Sequence, residues 1–168
     1  MAQITIDTEK IIQYFNLEFK DFTTIILAIV AFIVAYLTWT STKTSNQMYI
    51  DELIQNSLTN YRNTYLQGLS INLDEDHPDY SRNKHEIYLQ SLSESREEIL
   101  NAYNRACSVY LQGFWVFTRI DRKLFESQRR EEILGIVRDP IYSNILGSYY
   151  DSSCPHLIKV FDKLKNKR

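Results

Sequence analysis

An uncharged apolar run from Phe22 to Trp39 constrains this chain more than any other feature of its sequence. As an α-helix that rises about 1.5 Å per residue, the run measures about 27 Å, close to the hydrocarbon core of a bilayer at about 30 Å. Tyr36 and Trp39 lie near its downstream end, where amphipathic rings favour the lipid headgroups. We therefore predict a transmembrane helix over residues 22–40.

Two other interpretations of the run agree less well with the sequence. A buried core helix of this length is rarely apolar on every side. A cleaved signal peptide would begin with a basic segment and end at a small-residue site, whereas residues 1–21 are net acidic and no A-x-A site follows the run. We predict an amphipathic interfacial segment over 1–21, a single-pass transmembrane helix over 22–40 and a cytosolic helical domain over 41–168.

The long C-terminal part has the composition of a protein in a reducing compartment. The chain of 168 residues has two cysteines, Cys107 and Cys154, without the spacing of a disulfide framework, and it has no N-x-S/T acceptor site. Lysines flank the apolar run almost equally, two before it and one shortly after it, so the positive-inside rule decides little. We expect a single-pass membrane protein whose C-terminal domain lies in the cytoplasm.

The residues beyond the run have helical periodicity. Apolar positions recur on one face from Gln47 to Leu69, where Gly68 suits a helix end, and again from Ser81 to Gly113. Ser93 or Ser95 is a possible cap for a break inside the second stretch. We predict an all-α fold.

Local signals place two further helices near the C-terminus. Asp121 predicts the N-cap of a helix that Pro140 ends. Ser152 or Ser153, followed by Pro155, predicts the start of another helix. The stretch FWVFT, between the second and third helices, is compatible with a helix, a strand or a turn.

Small residues are regularly spaced within and beyond the apolar run. They recur at intervals of alternately three and four residues, which keeps them on one face of a helix in a left-handed assembly. We call this stripe the seam; its members are Asp21, Thr24, Ala28, Ala31, Ala35, Thr38, Thr42 and Ser45. Small residues let helices approach closely in lipid, so the seam predicts self-association.

Three interpretations of the seam stay open. It packs helices without conducting ions, it lines a pore, or its spacing is a coincidence. In a pore, the threonines would wet the two ends, the alanines would form an apolar gate, and Asp21 would form an acidic ring that favours cations.

The sequence offers little material for catalysis. Its three histidines and two cysteines have none of the spacings of metal sites, such as C-x₂-C or H-E-x-x-H. It contains no Gly-rich phosphate-binding loop. The paired carboxylates Glu97–Glu98 and Glu131–Glu132 lie on Arg-rich segments, where a solvated helix face explains them better than acid–base chemistry. We expect neither enzymatic activity nor a metal or cofactor site.

Basic and aromatic residues alternate in the second half of the chain, a mixture that can bind phosphates and stack on bases. The candidate ligand-binding or oligonucleotide-binding residues are Arg105, Trp115, Arg119, Arg122, Lys123, Arg129 and Arg130. Acidic residues such as Asp121, Glu126 and Glu132 lie among them, so ion pairs on a solvated helix face are the alternative.

The last 70 residues or so resemble a bacterial group of small membrane-anchored helical proteins with no established chemistry. The matching residues are Asn101, Ala102, Ala106, Cys107, Tyr110, Leu111, Gly113, Ile120, Asp121, Phe125, Glu132, Ile133, Lys159, Val160 and Phe161. FWVFTR resembles an insertion after Gly113, and the group's final aromatic residue is missing. The architecture is also similar to that of membrane effectors of bacterial antiphage systems, some of which are channels controlled by nucleotide signals.

These features define our functional expectation. We expect a homo-oligomeric membrane effector of four or more subunits, whose transmembrane helices form an ion channel or pore gated by the cytosolic domain. The resemblance implies antiphage defence and control by a nucleotide or oligonucleotide. The alternative is a membrane-tethered adaptor that recruits a cytosolic protein partner. An enzyme on a membrane tether would require a pocket assembled from separated helices.

Overall fold

The structure, a computed structural model, describes residues 8–71, 77–78, 80–114, 117–149 and 154–167. It confirms the all-α prediction. The helices within these ranges are α1 (Thr8–Gly68), α2 (Arg82–Leu111), α3 (Arg122–Arg138), α4 (Pro140–Tyr149) and α5 (Pro155–Lys165). A two-residue antiparallel pairing joins β1 (Gly113–Phe114) to β2 (Phe117–Thr118), with Gly113 opposite Thr118. The undecided FWVFT stretch therefore begins and ends in paired strands.

The chain divides into two compact units, residues 1–41 and 42–168, which we call the N-terminal and C-terminal units. Over its described residues the N-terminal unit is helical throughout. Of the predicted interfacial segment, residues 1–7 lie outside the described part, and residues 8–21 form the start of α1.

The N-terminal unit contains the first part of a helix that is long and apolar enough to span a membrane. None of the most apolar 18-residue window of this helix is buried within the described structure. Phe32 is the most exposed large apolar side chain of the run, at 73%. This exposure argues against a core helix, because such a helix would cover its apolar side chains within its own chain.

The C-terminal unit has one hydrophobic core, to which all five helices contribute. Buried core residues include Ile50 and Ile54 of α1, Ile99, Tyr103, Ala106 and Tyr110 of α2, Phe125 and Ile133 of α3, Leu146 of α4, and Leu157, Val160 and Leu164 of α5. The apolar face predicted from Gln47 to Leu69 is covered only in part, since Tyr65 and Leu69 are exposed. Burial of the remaining side chains supplies the main stabilisation of the unit.

Several of the predicted helix ends are confirmed. The Asp121 carboxylate accepts hydrogen bonds from the backbone N–H groups of Lys123 and Leu124, at 3.0 and 3.1 Å, as an N-cap should. The first helix ends at Gly68, and the third ends before Pro140.

Two local predictions differ from the structure. The break suggested at Ser93 or Ser95 is wrong: α2 is continuous, and the buried Ser95 hydroxyl donates to the Leu92 carbonyl at 3.0 Å. Such a local bond lets a serine stay inside a helix. The fifth helix takes Cys154 as its N-cap residue, with Pro155 in its first turn; Ser152 and Ser153 lie outside the described residues.

An amide from another helix completes the start of α5. The Asn104 side-chain oxygen on α2 accepts hydrogen bonds from the backbone N–H groups of His156 and Leu157, at 3.0 and 3.1 Å. These groups are two of the donors that a helix N-terminus leaves unpaired, so Asn104 replaces the missing local cap.

Glycine is required at the end of α1 for a steric reason. A Cβ atom at Gly68 would lie 2.1 Å from the ring atoms Cε2 and Cζ of Tyr88, which is buried on α2. The absence of a side chain at Gly68 therefore allows the two helices to approach each other. Gly113, which follows α2, has a φ of 92°, in the left-handed region that favours glycine.

Candidate functional site

The seam lies on an open face of the helix in the N-terminal unit. Asp21, Ala28 and Ala35 are exposed, as are the other seam residues up to Thr38. At about 100° per residue, the seam positions stay within an arc of about 120° and drift slowly around the helix. By the same count, Ile33 lies on the opposite side of the helix from the seam.

The threonines of the run bond within their own helix. Thr24 donates its hydroxyl hydrogen to the Lys20 carbonyl, and Thr38 donates to the Val34 carbonyl, each at 2.8 Å. These contacts satisfy the hydroxyl donors without a partner helix. The two threonines can therefore lie in an apolar medium at low cost, and their oxygens can still accept a further hydrogen bond.

A charged network in the C-terminal unit joins α1, α2 and α3. Arg129 is 8% exposed, and its guanidinium lies 2.7 Å from the Asp51 carboxylate and 2.9 Å from the Glu132 carboxylate. The Tyr103 hydroxyl donates to the same Glu132 carboxylate at 2.8 Å. Burial alone would lower the pKa of Arg129, but the hydrogen bonds to Asp51 and Glu132 raise it. The charge therefore persists inside the unit because two carboxylates face it.

A second network fixes the end of α5 on α3. Glu126 accepts hydrogen bonds from the Lys167 ammonium, at 2.7 Å to each carboxylate oxygen, and from the Tyr110 hydroxyl. Arg130 donates to the Leu164 carbonyl in the last turn of α5 and to the Lys167 carbonyl beyond it. Burial would raise the pKa of Glu126, but the bonds from Lys167 and Tyr110 hold it below its ordinary value.

The predicted basic and aromatic set divides among different environments. Arg129 and Arg130 point into the two networks described above. Arg122 donates to the carbonyls of Tyr110 and Gly113, each at 3.2 Å, and lies 5.7 Å from the Tyr110 ring centroid. These three guanidinium groups have structural partners, which reduces their availability to a ligand.

The remaining members of the set are exposed or lie outside the residues that the structure describes. Arg105 is exposed on α2, whereas Arg119 and Lys123 are exposed around the start of α3. Trp115 lies outside the described residues. The structure thus separates Arg105 from the basic residues that the sequence grouped with it.

Two adjoining clefts follow the groove between α1 and α2 in the C-terminal unit. They measure about 290 and 300 Å³, and both are lined by Asn60 and Glu98. The Asn60 amide donates to the Glu98 carboxylate at 3.4 Å across the groove. The amide side chains that line it are Asn56, Asn60, Asn63, Gln67 and Asn101. We call this groove the amide cleft; Arg105 lies in one of its two parts.

The two cysteines belong to the core of the C-terminal unit. Cys107 and Cys154 are both buried, and burial raises the pKa of each thiol. Among the residues that the structure describes, no group of three or more His, Cys, Asp or Glu side chains is placed to hold a metal ion.

Sequence reasoning missed the roles of Asp51 and Glu126. Asp51 follows Ile50 and precedes Ile54, so its position beside the buried face of α1 was the available signal. Glu126 follows the buried Phe125 in the same way. In both cases the partner comes from a distant part of the chain, Arg129 for Asp51 and Lys167 for Glu126, and spacing alone does not predict such a pair.

These observations define a class of protein: a chain that is all-helical over its described residues, among which one helix is long and apolar enough to cross a membrane. Comparisons with protein families, curated proteins and solved structures find no match to this chain.

Proposed function

We propose that this chain is a homo-oligomeric membrane effector. The apolar part of α1 spans the bilayer once, and the seam brings identical helices together as a pore. The C-terminal unit, on the cytoplasmic side of a bacterial inner membrane, controls whether the pore is open. Antiphage defence and control by a nucleotide or oligonucleotide belong to the same proposal, and their support is the resemblance in sequence and architecture.

One observation carries the proposal: the apolar window of α1 is unburied, and it presents small residues along one stripe. In water, so much exposed apolar surface would drive aggregation, whereas in lipid it is solvated. A single spanning helix has no partner within its own chain. Close packing at Ala28, Ala31 and Ala35 then favours contact with further copies.

Control by the C-terminal unit is supported by the Arg129 network. It attaches Asp51 of α1 to α3 through a short ion pair, and Tyr103 adds α2 to the same group of charges. A ligand that changes the packing of α2 or α3 would therefore act on α1 directly. The free energy by which a ligand can shift the equilibrium between open and closed states equals the difference between its binding free energies for the two states.

The seam is tested by Ala31→Leu in the full-length chain reconstituted in lipid. Added bulk at a close contact costs about 1–3 kcal/mol, which weakens association about 5- to 150-fold. The assembled fraction, measured by native mass spectrometry or single-molecule photobleaching, should fall, and ion flux from liposomes should fall with it. The matched control is Val30→Phe, which adds bulk away from the seam and should leave both unchanged. Equal behaviour of the two variants contradicts the proposal.

The variant Asp21→Asn tests whether the seam lines a conducting pore or only packs helices together. In a pore this change removes an acidic ring at one mouth, so the ratio of cation to anion flux should fall while subunit number stays constant. Intact oligomers that pass no ions, before or after the change, would leave the seam as a packing surface only.

A second candidate is a membrane-tethered adaptor, and the amide cleft favours it. Each Asn side chain offers one acceptor and two donors, which matches the hydrogen-bonding groups of a peptide backbone. The cleft would hold an extended segment of a cytosolic protein. If the chain is an adaptor, Asn101→Leu should abolish capture of that protein without changing self-association. If the chain is an effector, its activity should depend on the seam and not on the amide cleft.

A further inference from the structure

Several basic residues lie where the segment between β2 and α3 contacts α1 in the C-terminal unit. The Asn46 side-chain amide donates to the Arg119 carbonyl at 2.9 Å, and the Lys43 ammonium lies 3.9 Å from the Asp121 carboxylate. These two contacts bring the segment between β2 and α3 against residues 43–46. We call the group formed by Lys43, Arg119, Arg122 and Lys123 the basic patch.

Positive charge exceeds negative charge on this patch. Among the described residues that we assign to it, counted with Asp121, four are basic and one is acidic, a net charge of +3 from 4 − 1. The Asp121 carboxylate is already engaged by Lys43 and by the two backbone N–H groups at the start of α3. Arg119 and Lys123 are exposed beside it. The outward field of the patch is therefore positive and favours an anionic partner.

Lys43, a member of the basic patch, lies close in the sequence to the end of the apolar run. Lys43 follows Trp39 by four residues. Four residues reach at most about 14 Å in any conformation. The headgroup layer on each side of a hydrocarbon core is about 5–8 Å thick. If the run spans a bilayer, Lys43 is within reach of the headgroups, and the segment that contains Arg119 and Asp121 contacts residues 43–46 of α1.

We propose that the basic patch binds the headgroups of anionic phospholipids. The inference rests on the membrane anchor of the proposed function and adds a specific lipid class to it. Leu124, 43% exposed next to Lys123, supplies an apolar side chain at the same surface. A mixture of basic and apolar side chains is typical of segments that lie at a membrane surface. The patch thus attaches the start of α3 to the lipid in addition to the spanning helix.

The test uses the full-length chain in nanodiscs, with the photoreactive residue p-benzoylphenylalanine at position 124. Lipid adducts are measured by mass spectrometry in phosphatidylcholine alone and in a mixture with phosphatidylglycerol. We expect phosphatidylglycerol adducts at position 124 and a lower yield in the double variant Arg119→Glu, Lys123→Glu. Because each basic residue near an anionic surface changes binding about fivefold, the loss should be severalfold or more.

Two matched controls accompany this measurement. The double variant Arg62→Glu, Lys84→Glu makes the same change of charge at exposed positions outside the patch and should leave the adduct yield unchanged. A probe at position 33, opposite the seam, reports whether the run itself contacts lipid. Adducts at 33 without phosphatidylglycerol-dependent adducts at 124 overturn the headgroup proposal alone. An absence of lipid adducts at both positions overturns the membrane anchor as well.

An oligonucleotide is the competing anionic partner. Addition of a short single-stranded oligonucleotide to the same nanodiscs should leave the lipid adducts at position 124 in place. If the oligonucleotide replaces lipid as the crosslinked species at equal ionic strength, the patch is a nucleic-acid site and the lipid proposal is wrong.

Discussion

Arg129 shows how one residue determines the environment of several others. Its guanidinium is buried, whereas Asp51 and Glu132 expose about 40% of their side chains, at 40% and 41%. Removal of the arginine therefore leaves two carboxylates that water can still reach. The cost is smaller than the 3–5 kcal/mol or so expected for an ion pair that is buried on both sides.

We predict that Arg129→Leu lowers the free energy of unfolding by about 1–3 kcal/mol, since charged hydrogen bonds are lost but the carboxylates are resolvated. Denaturant unfolding of the chain in detergent measures this change in the free energy of unfolding. The control Arg62→Leu, at an exposed position on α1, should stay within about 0.5 kcal/mol of the parent. Equal effects of the two substitutions would show that the Arg129 network does not stabilise the unit.

Gly68 gives a second prediction for a single residue. Gly68→Ala should lower the free energy of unfolding by about 1–3 kcal/mol, because the new methyl group must displace the buried Tyr88 ring. Combining it with Tyr88→Ala should remove most of this cost in a double-mutant cycle. Gly135→Ala is the control: nothing lies within 4 Å of a Cβ there, so this change within α3 should stabilise by up to about 1 kcal/mol. If both glycine variants gained stability, the contact with Tyr88 would not be close.

Among the helices, α5 is attached to α3 in part through a titratable group, the Glu126 carboxylate. The pKa of Glu126 is lowered in the folded chain, so its contribution to stability is complete above its ordinary value of 4.5. The contribution is lost as the pH falls through the lower, folded-state pKa. The end of α5 should thus become less firmly attached in acid.

We predict that Glu126→Gln destabilises the chain at neutral pH and that the difference from the parent shrinks as the pH falls below 4.5. Thermal unfolding at a series of pH values measures this difference. In a Lys167→Met background the difference should be smaller at neutral pH, because the ammonium that favours the carboxylate is absent. A gap between parent and variant that stays constant over the whole series would contradict the assignment.

The elements also show what the sequence could predict. Local signals were sufficient for the α3 cap at Asp121, because the N–H groups that it accepts from belong to neighbours in the chain. They also predicted the end of α1 at Gly68, although the steric need for glycine there comes from Tyr88 on α2. The start of α5 was less accessible, since its first N–H groups bond to Asn104, some fifty residues earlier. The helix α4 was not predicted, because the sequence signal at Pro140 indicates the end of a helix, whereas Pro140 also occupies the first position of α4.

The candidate site was predictable to a similar extent. The exposed seam follows from spacing alone, as its members belong to one helix. The basic set was harder to predict, because sequence proximity placed Arg122, Arg129 and Arg130 with exposed residues, although each has a partner on another helix. Long-range contacts decide which arginines are available, and these contacts depend on the packing of the whole C-terminal unit.

At the scale of the whole molecule, the proposal predicts a subunit number. The full-length chain in lipid should form closed assemblies of four or more copies, because fewer copies would pack the alanines at the axis and leave no pore. Native mass spectrometry or particle imaging gives this number directly. A chain that is monomeric in lipid at high protein-to-lipid ratio would end the channel interpretation.

The inward hydrogen bonds of Thr24 and Thr38 have a consequence for the timing of assembly. Because each hydroxyl hydrogen is used inside its own helix, a lone subunit carries none of these donors unpaired into the hydrocarbon. Under the proposed function, single copies of the chain would therefore be stable in the bilayer without conducting ions. Assembly would then depend on the concentration of the chain in the membrane, so that its level of synthesis would set the threshold.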